Sequence, residues 1–297
     1  MRNLPGLFMA ALLFALATPA TTLAQPAPPT LKAVQLAEFT GGLSQPHDAA
    51  LSPDGKLIYL TDMANSRMVV LEAMTLKFVG AFGKGDLSYP HDAEFDKAGR
   101  LLVADTGNDR IAIFEVRGAE ARRVSELKGL SGPEGVAVAP DGRVFVTNTR
   151  SATLSVFRDG RLEQTLGGYG AGAGELANPH DVDVAKDGSI HVVDSGNNRV
   201  QVFDAALKLR TSFGAEFKLN APKYLAFDGE RIWLADENNH RILLLDRGHK
   251  LLGVLGAGVR GRSANAFYKP EAVLARGAHV WVIDTYNDRI VLLRVGP

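Results

Sequence analysis

Three of the seven histidines of this chain fall in one local setting, directly after a proline and before an aspartate: Pro46-His47-Asp48, Pro90-His91-Asp92 and Pro179-His180-Asp181. Three further prolines carry other successors at the matching place, as Pro133-Glu134-Gly135, Pro222-Lys223-Tyr224 and Pro270-Glu271-Ala272. Imidazole and carboxylate brought to one point form the donor set of Zn²⁺ or another divalent transition ion. An aspartate beside each imidazole can orient it through its ring N–H, and several aspartates together offer hard oxygen to Ca²⁺. Two other uses suit the same residues. His and Asp can satisfy loop backbone groups, Asp being a turn residue that bonds its own main chain, or they can touch a substrate directly without a metal.

The elements that must position these residues repeat. One unit recurs six times: a proline, a short apolar strand, a turn such as Asp54-Gly55, Lys97-Ala98-Gly99 or Asp228-Gly229-Glu230, a second apolar strand ending in Asp, a D-x-x-N-x-R loop and a third strand. The fullest copies end in Asp105-Thr106-Gly107-Asn108-Asp109-Arg110 and Asp194-Ser195-Gly196-Asn197-Asn198-Arg199; the third is degraded, with Asn148 for Asp and Thr153 for Arg. Successive prolines lie 44, 43, 46, 43 and 48 residues apart, about the length of one four-stranded blade.

D-x-x-N-x-R after an apolar strand resembles the NHL repeat, and six copies resemble the six-bladed NHL propellers. The resemblance covers nearly all of the chain after its first 30 residues. It implies an all-β, six-bladed β-propeller of four-stranded antiparallel blades over residues 31–297. The sixth unit stops after its third strand, and the segment Leu31 to Phe39 supplies the missing fourth. The last blade is therefore expected to be closed by the N-terminal strand, which removes open sheet edges.

In a propeller the first strand of each blade lines the central channel. The residue after each proline then forms a ring at one mouth: His47, His91, Glu134, His180, Lys223 and Glu271. Asp48, Asp92, Gly135, Asp181, Tyr224 and Ala272 follow it. The D-x-x-N-x-R loops and the long Gly-rich loops 167–174 and 256–266 lie on that same face, where binding is usually placed. The mouth is also similar to that of peptidyl-hydroxyglycine amidating lyases, which hold a catalytic zinc with three His from blade starts and bind a structural calcium. That resemblance makes His47, His91 and His180 zinc ligands, one paired Asp a calcium ligand, and Tyr286 the acid–base group. The lyase histidines come from alternate blades; here they come from blades one, two and four, at about 0°, 60° and 180° for evenly spaced blades. Glu134 and Glu271 are the other acid–base candidates. Lys223, Tyr224, Asp48, Asp92 and Asp181 are the candidate binding residues of the mouth.

The recurring Asp–Arg pairs read as braces of the mouth loops. His240 reads as an exposed loop residue and His191 as strand packing, with His249 and His279 near the opposite face. Tyr89, Tyr169, Tyr268 and Tyr286 offer aromatic area either to the mouth or to the core.

Composition limits the alternatives. Lys+Arg and Asp+Glu both number 33, so no global basic excess draws a nucleic acid. The chain has no cysteine, which excludes disulfides, thiolate metal sites and cysteine nucleophiles. Arg2, the apolar run Leu7 to Ala17 and Thr22-Leu23-Ala24 form a secretory signal pattern too short for a membrane span. Residues 1–24 are expected to be cleaved, residues 25–30 to be a loose lead-in, and the mature protein to be monomeric in a periplasm or outside the cell, with no membrane span. Two functions fit: a module that binds a peptide or exported protein at its mouth, with or without a divalent ion, and a zinc-dependent lyase or hydrolase.

Overall fold

The computed structural model describes residues 29–296; the signal-peptide reading lies outside them. Six four-stranded antiparallel sheets are arranged as blades, and their first strands are Pro46–Leu51, Pro90–Phe95, Pro133–Val138, Pro179–Val184, Pro222–Asp228 and Ala272–Arg276. Lys32–Phe39 is the outer strand of the sixth blade, paired from Lys32 opposite Gly296 to Phe39 opposite Ile290. Pro29 and Thr30 belong to the expected loose lead-in, yet the Val254 amide donates to the Pro29 carbonyl and the Leu31 amide to that of Val254. Among the described residues no helix is long and apolar enough to cross a membrane.

Second and third strands such as Leu57–Asp62 and Arg67–Glu72 are runs of Ile, Leu, Val and Met buried on both faces. That composition follows from position, because these strands are sandwiched between neighbouring blades. Each of the six apolar clusters fills a space between adjacent blades; the one holding Leu60, Val69, Trp281 and Leu292 joins the last blade to the first. Trp281 Nε1 also donates to the Ala73 carbonyl across that junction, at 2.7 Å.

The repeat motif works as a local brace. Asp194 accepts from the Ala177 amide at 2.7 Å, from Asn197 Nδ2 at 2.9 Å and from Arg199 Nε at 2.7 Å. The Arg199 guanidinium goes on to donate to carbonyls of Ala171, Gly172 and Glu175. Equivalent sets surround Asp62, Asp105, Asp236 and Asp284. In the degraded third blade Asn148 keeps one part of this, accepting from the Ser131 amide at 3.0 Å. A charge-assisted Asp–Arg contact, with both carboxylate oxygens accepting hydrogen bonds, explains why these carboxylates tolerate full burial.

The motif also clasps the next blade. Its fifth residue is left-handed at Ser66, Asp109, Asn198, His240 and Asp288. Side chains there accept the amide of the residue just before the next proline: Asp109 from Gly132, Asn198 from Ala221, His240 from Lys269 and, across the closure, Asp288 from Gln45. His240 is therefore an inter-blade clasp rather than a free loop residue.

Candidate functional site

The residue before each proline is also left-handed, with φ of 48° at Gln45, 49° at Tyr89 and 51° at Asn178. Its carbonyl thereby turns toward the imidazole two residues on. His47, His91 and His180 place Nδ1 at 3.1, 2.8 and 3.0 Å from the carbonyls of Gln45, Tyr89 and Asn178. A carbonyl can only accept, so Nδ1 carries the proton and Nε2 is left as a bare acceptor. Burial reinforces this neutral form: it holds His47 and His91 down to about 4 and His180 well below the ordinary imidazole range.

Those nitrogens face carboxylates. His47 Nε2 lies 3.0 Å from Glu271 Oε2, and His180 Nε2 lies 3.0 Å from Glu134 Oε2. Both oxygens are buried and find no hydrogen-bond donor among the described residues. Two acceptors at that distance require a proton or cation between or beside them. Burial raises the Glu271 carboxyl to about 8 and also raises Glu134, although Lys223 opposes both shifts. Below that pH a protonated Glu271 supplies the proton to His47. On the other side, Lys223 Nζ lies 2.6 Å from His180 Nε2 and donates to it, which leaves Glu134 Oε2 short of a donor.

The ring read from the sequence thus exists, but as pairs around the channel. The rings of His47 and His91 meet edge to face at 4.5 Å, whereas His180 is tied to Glu134 and Lys223. Among the described residues no group of three or more His, Asp or Glu side chains is arranged to hold a metal ion. Lys223 Nζ also occupies the Nε2 lone pair of His180 that a metal would use. The described residues thus hold no ready-made cluster of three ligands at these histidines.

Beneath the ring, Asp48, Asp92 and Asp181 are buried around the channel with Tyr224. Asp92 Oδ2 accepts from the Val136 amide at 2.6 Å and Asp181 Oδ2 from the Leu225 amide at 2.8 Å, each tying its blade to the next. Burial, reinforced by the neighbouring Asp92 and Asp181 carboxylates, raises Asp48 well above the ordinary carboxylate range, and burial raises Asp92 as well. The Tyr224 hydroxyl reaches the Glu134 carbonyl at 3.4 Å. A cavity of about 580 Å³ continues down the channel, past Glu94 and Asp183, to Lys186 and Arg276. Burial holds Glu94 well above its ordinary range and Asp183 near about 7.

Tyr286 stands at the rim, 40% exposed, edge-on to Tyr268, with Lys269 Nζ 4.9 Å from its ring centre. Burial and the Glu271 and Glu237 carboxylates raise its hydroxyl pKa, the opposite of what a general base needs. Tyr89 and Tyr169 are exposed at 54% and 86%. Two partners escaped the sequence reading. Buried Glu237 lies 3.5 Å from Lys223 and 3.1 Å from Lys269. Glu237 follows the blade-five Asp, where other copies carry Met, Thr or Ser, and that departure was the available signal.

A family model for the NHL repeat matches residues 130–157 and 176–203. The chain carries NHL repeats. It is 31% identical over 179 residues to human NHL repeat-containing protein 3, covering 53% of this chain and 49% of that protein. The chain thus spans about half the length of that curated relative. Among solved structures, an inactive variant of virginiamycin B lyase from Staphylococcus aureus with quinupristin superposes with a TM-score of 0.63 at 13% identity, covering 89% of this chain and 99% of that one. An auxiliary nutrient binding protein from Bacteroides ovatus gives 0.66 at 13% identity, covering 91% and 78%. At such identities the likeness is one of fold, and one fold hosts unrelated activities.

Proposed function

We propose that this NHL propeller is an exported binding module that takes a cationic group of a peptide or protein partner, a lysine or arginine side chain, into its mouth. The observation that carries the reading is the shortage of donors: Glu134 Oε2 and Glu271 Oε2 are buried, face imidazole acceptors and lack hydrogen-bond donors among the described residues. An ammonium or guanidinium supplies donors and charge together. The exposed tyrosines of the rim add faces for cation–π contact.

The test is calorimetric titration of the mature protein with a blocked pentapeptide bearing one central lysine, against the same peptide with glutamate. The lysine peptide binds and the glutamate peptide does not. The double variant Glu134→Gln/Glu271→Gln weakens the lysine peptide about 10- to 100-fold, the worth of one charged hydrogen bond at about 1.5–3 kcal/mol. Binding tightens as pH rises toward 8 and beyond, because the guest prefers an ionised Glu271. Equal binding of both peptides, or indifference to the double substitution, refutes the reading.

The zinc-dependent lyase reading uses the same imidazoles, whose shared Nε2-acceptor form is the one a metal takes; Lys223 beside His180 counts against it. Elemental analysis of purified protein, wild type and His47→Ala/His91→Ala/His180→Ala, separates the two. About one ion per chain, lost in the variant, favours the lyase.

A further inference from the structure

On the face opposite the mouth, a turn of blade five meets a turn of blade four. His191 is the second residue of the strand Ile190–Asp194, and His249 lies in the turn between Arg241–Asp246 and Leu251–Leu255. Their Nε2 atoms face each other at 3.5 Å. That is long for an N–H···N hydrogen bond, whose span is about 3 Å. It is close to the separation of two imidazole nitrogens on one tetrahedral ion, about 3.4 Å for metal–nitrogen bonds of about 2.05 Å.

Both rings are fixed in this attitude by aromatic neighbours. His249 stacks on Phe213 at 4.2 Å and 20°, and Phe227 meets His191 edge-on at 5.1 Å. The two turns are joined independently, since Arg247 Nη2 lies 3.3 Å from Asp187 Oδ2. His191 is buried to 4% exposure, and its Nδ1 finds no partner among the described residues. The contact sits at the long limit of an N–H···N hydrogen bond, and the packing that fixes both rings holds their Nε2 atoms at the separation of two ligands on one ion.

We propose that His191 and His249 form a two-histidine site for a divalent transition-metal ion, clamping blade four to blade five on the face away from the mouth. Imidazole donors suit Zn²⁺, Cu²⁺ or Ni²⁺. Among the described residues no third protein ligand is arranged beside them, so water completes the coordination. Asp187, 60% exposed, stands in the adjoining turn, paired with Arg247. The site is separate from the mouth and does not depend on what the mouth binds.

The experiment is electron paramagnetic resonance of mature protein with one equivalent of Cu²⁺, alongside calorimetric titration with Zn²⁺. Wild type gives nitrogen hyperfine structure from two imidazoles and binds one Zn²⁺. His249→Asn, which tolerates the left-handed turn at φ 63°, loses that structure and binds Zn²⁺ at least 10-fold more weakly, with an unchanged circular dichroism spectrum. His191→Gln does the same. The variant His47→Ala/His91→Ala/His180→Ala keeps the wild-type signal; His47→Asn alone serves as the control should the triple variant fail to fold. Persistence of the two-nitrogen signal in His249→Asn, or its loss on changing the mouth histidines, overturns the proposal.

Discussion

Replacing Glu271 by glutamine tests the mouth chemistry through stability alone. Burial raises the folded-state Glu271 carboxyl to about 8, against an ordinary value of 4.5. A carboxyl raised in this way favours the folded state fully below its unfolded pKa. That contribution is lost as pH rises through the folded one. At about 1.36 kcal/mol per pH unit, the loss between pH 5 and 8 is about 4 kcal/mol, an upper bound for a group whose surroundings relax. Glutamine cannot titrate, and its amide can still donate to His47 Nε2, which lies 3.0 Å from the present carboxylate oxygen. His47, held down to about 4, acts in the other direction, losing stability as pH falls from 6.5 toward 4. His47 is coupled to residue 271, but it is neutral in both proteins above pH 6.5, so the interval from pH 6.5 to 8 isolates Glu271. Urea unfolding of wild type and Glu271→Gln at pH 5, 6.5 and 8 is therefore expected to show the variant gaining on wild type with each step. A difference independent of pH means that Glu271 is ionised throughout, held so by a charged His47 or a bound cation, and refutes the proton-sharing pair.

Two further predictions concern the scaffold. Asp194→Ala strands the Ala177 amide and the Arg199 guanidinium and should cost about 3 kcal/mol in urea unfolding; Asp194→Asn, whose amide oxygen can still accept the Ala177 amide as Asn148 accepts that of Ser131, should cost clearly less. Trp281→Phe removes the donor to Ala73 across the closure and should cost about 1 kcal/mol more than Trp233→Phe at the matching position of blade five, since Trp233 Nε1 has no partner among the described residues to lose. Equal costs for the two tryptophans would show that the closure hydrogen bond adds nothing.

The repeat was legible because each blade solves one packing problem with the same short-range devices. An Asp that accepts the amide two residues before its own proline, and an Arg that braces that Asp, sit at fixed spacings in the chain, so their spacing alone exposed them. Closure was legible too, since a sixth unit lacking its fourth strand left one place for Lys32–Phe39. The left-handed residue before each proline was not legible. Gln45, Tyr89 and Lys269 have no type in common, and their conformation comes from the clasp of the preceding blade. For the same reason His240 looked like a free loop residue until its bond to the Lys269 amide was seen.

The sequence by itself determined the six blades, their order, the N-terminal strand that closes them, and the identity of the ring residues, because these follow from periodicity and local hydrogen bonding. Only the tertiary structure decided how the ring is wired. His180 answers to Glu134 and Lys223, and His47 to Glu271 and to the ring of His91, since neighbours around a channel are set by the angles between blades. It also brought His191 to His249, 58 residues apart, where no spacing in the chain announces a pair.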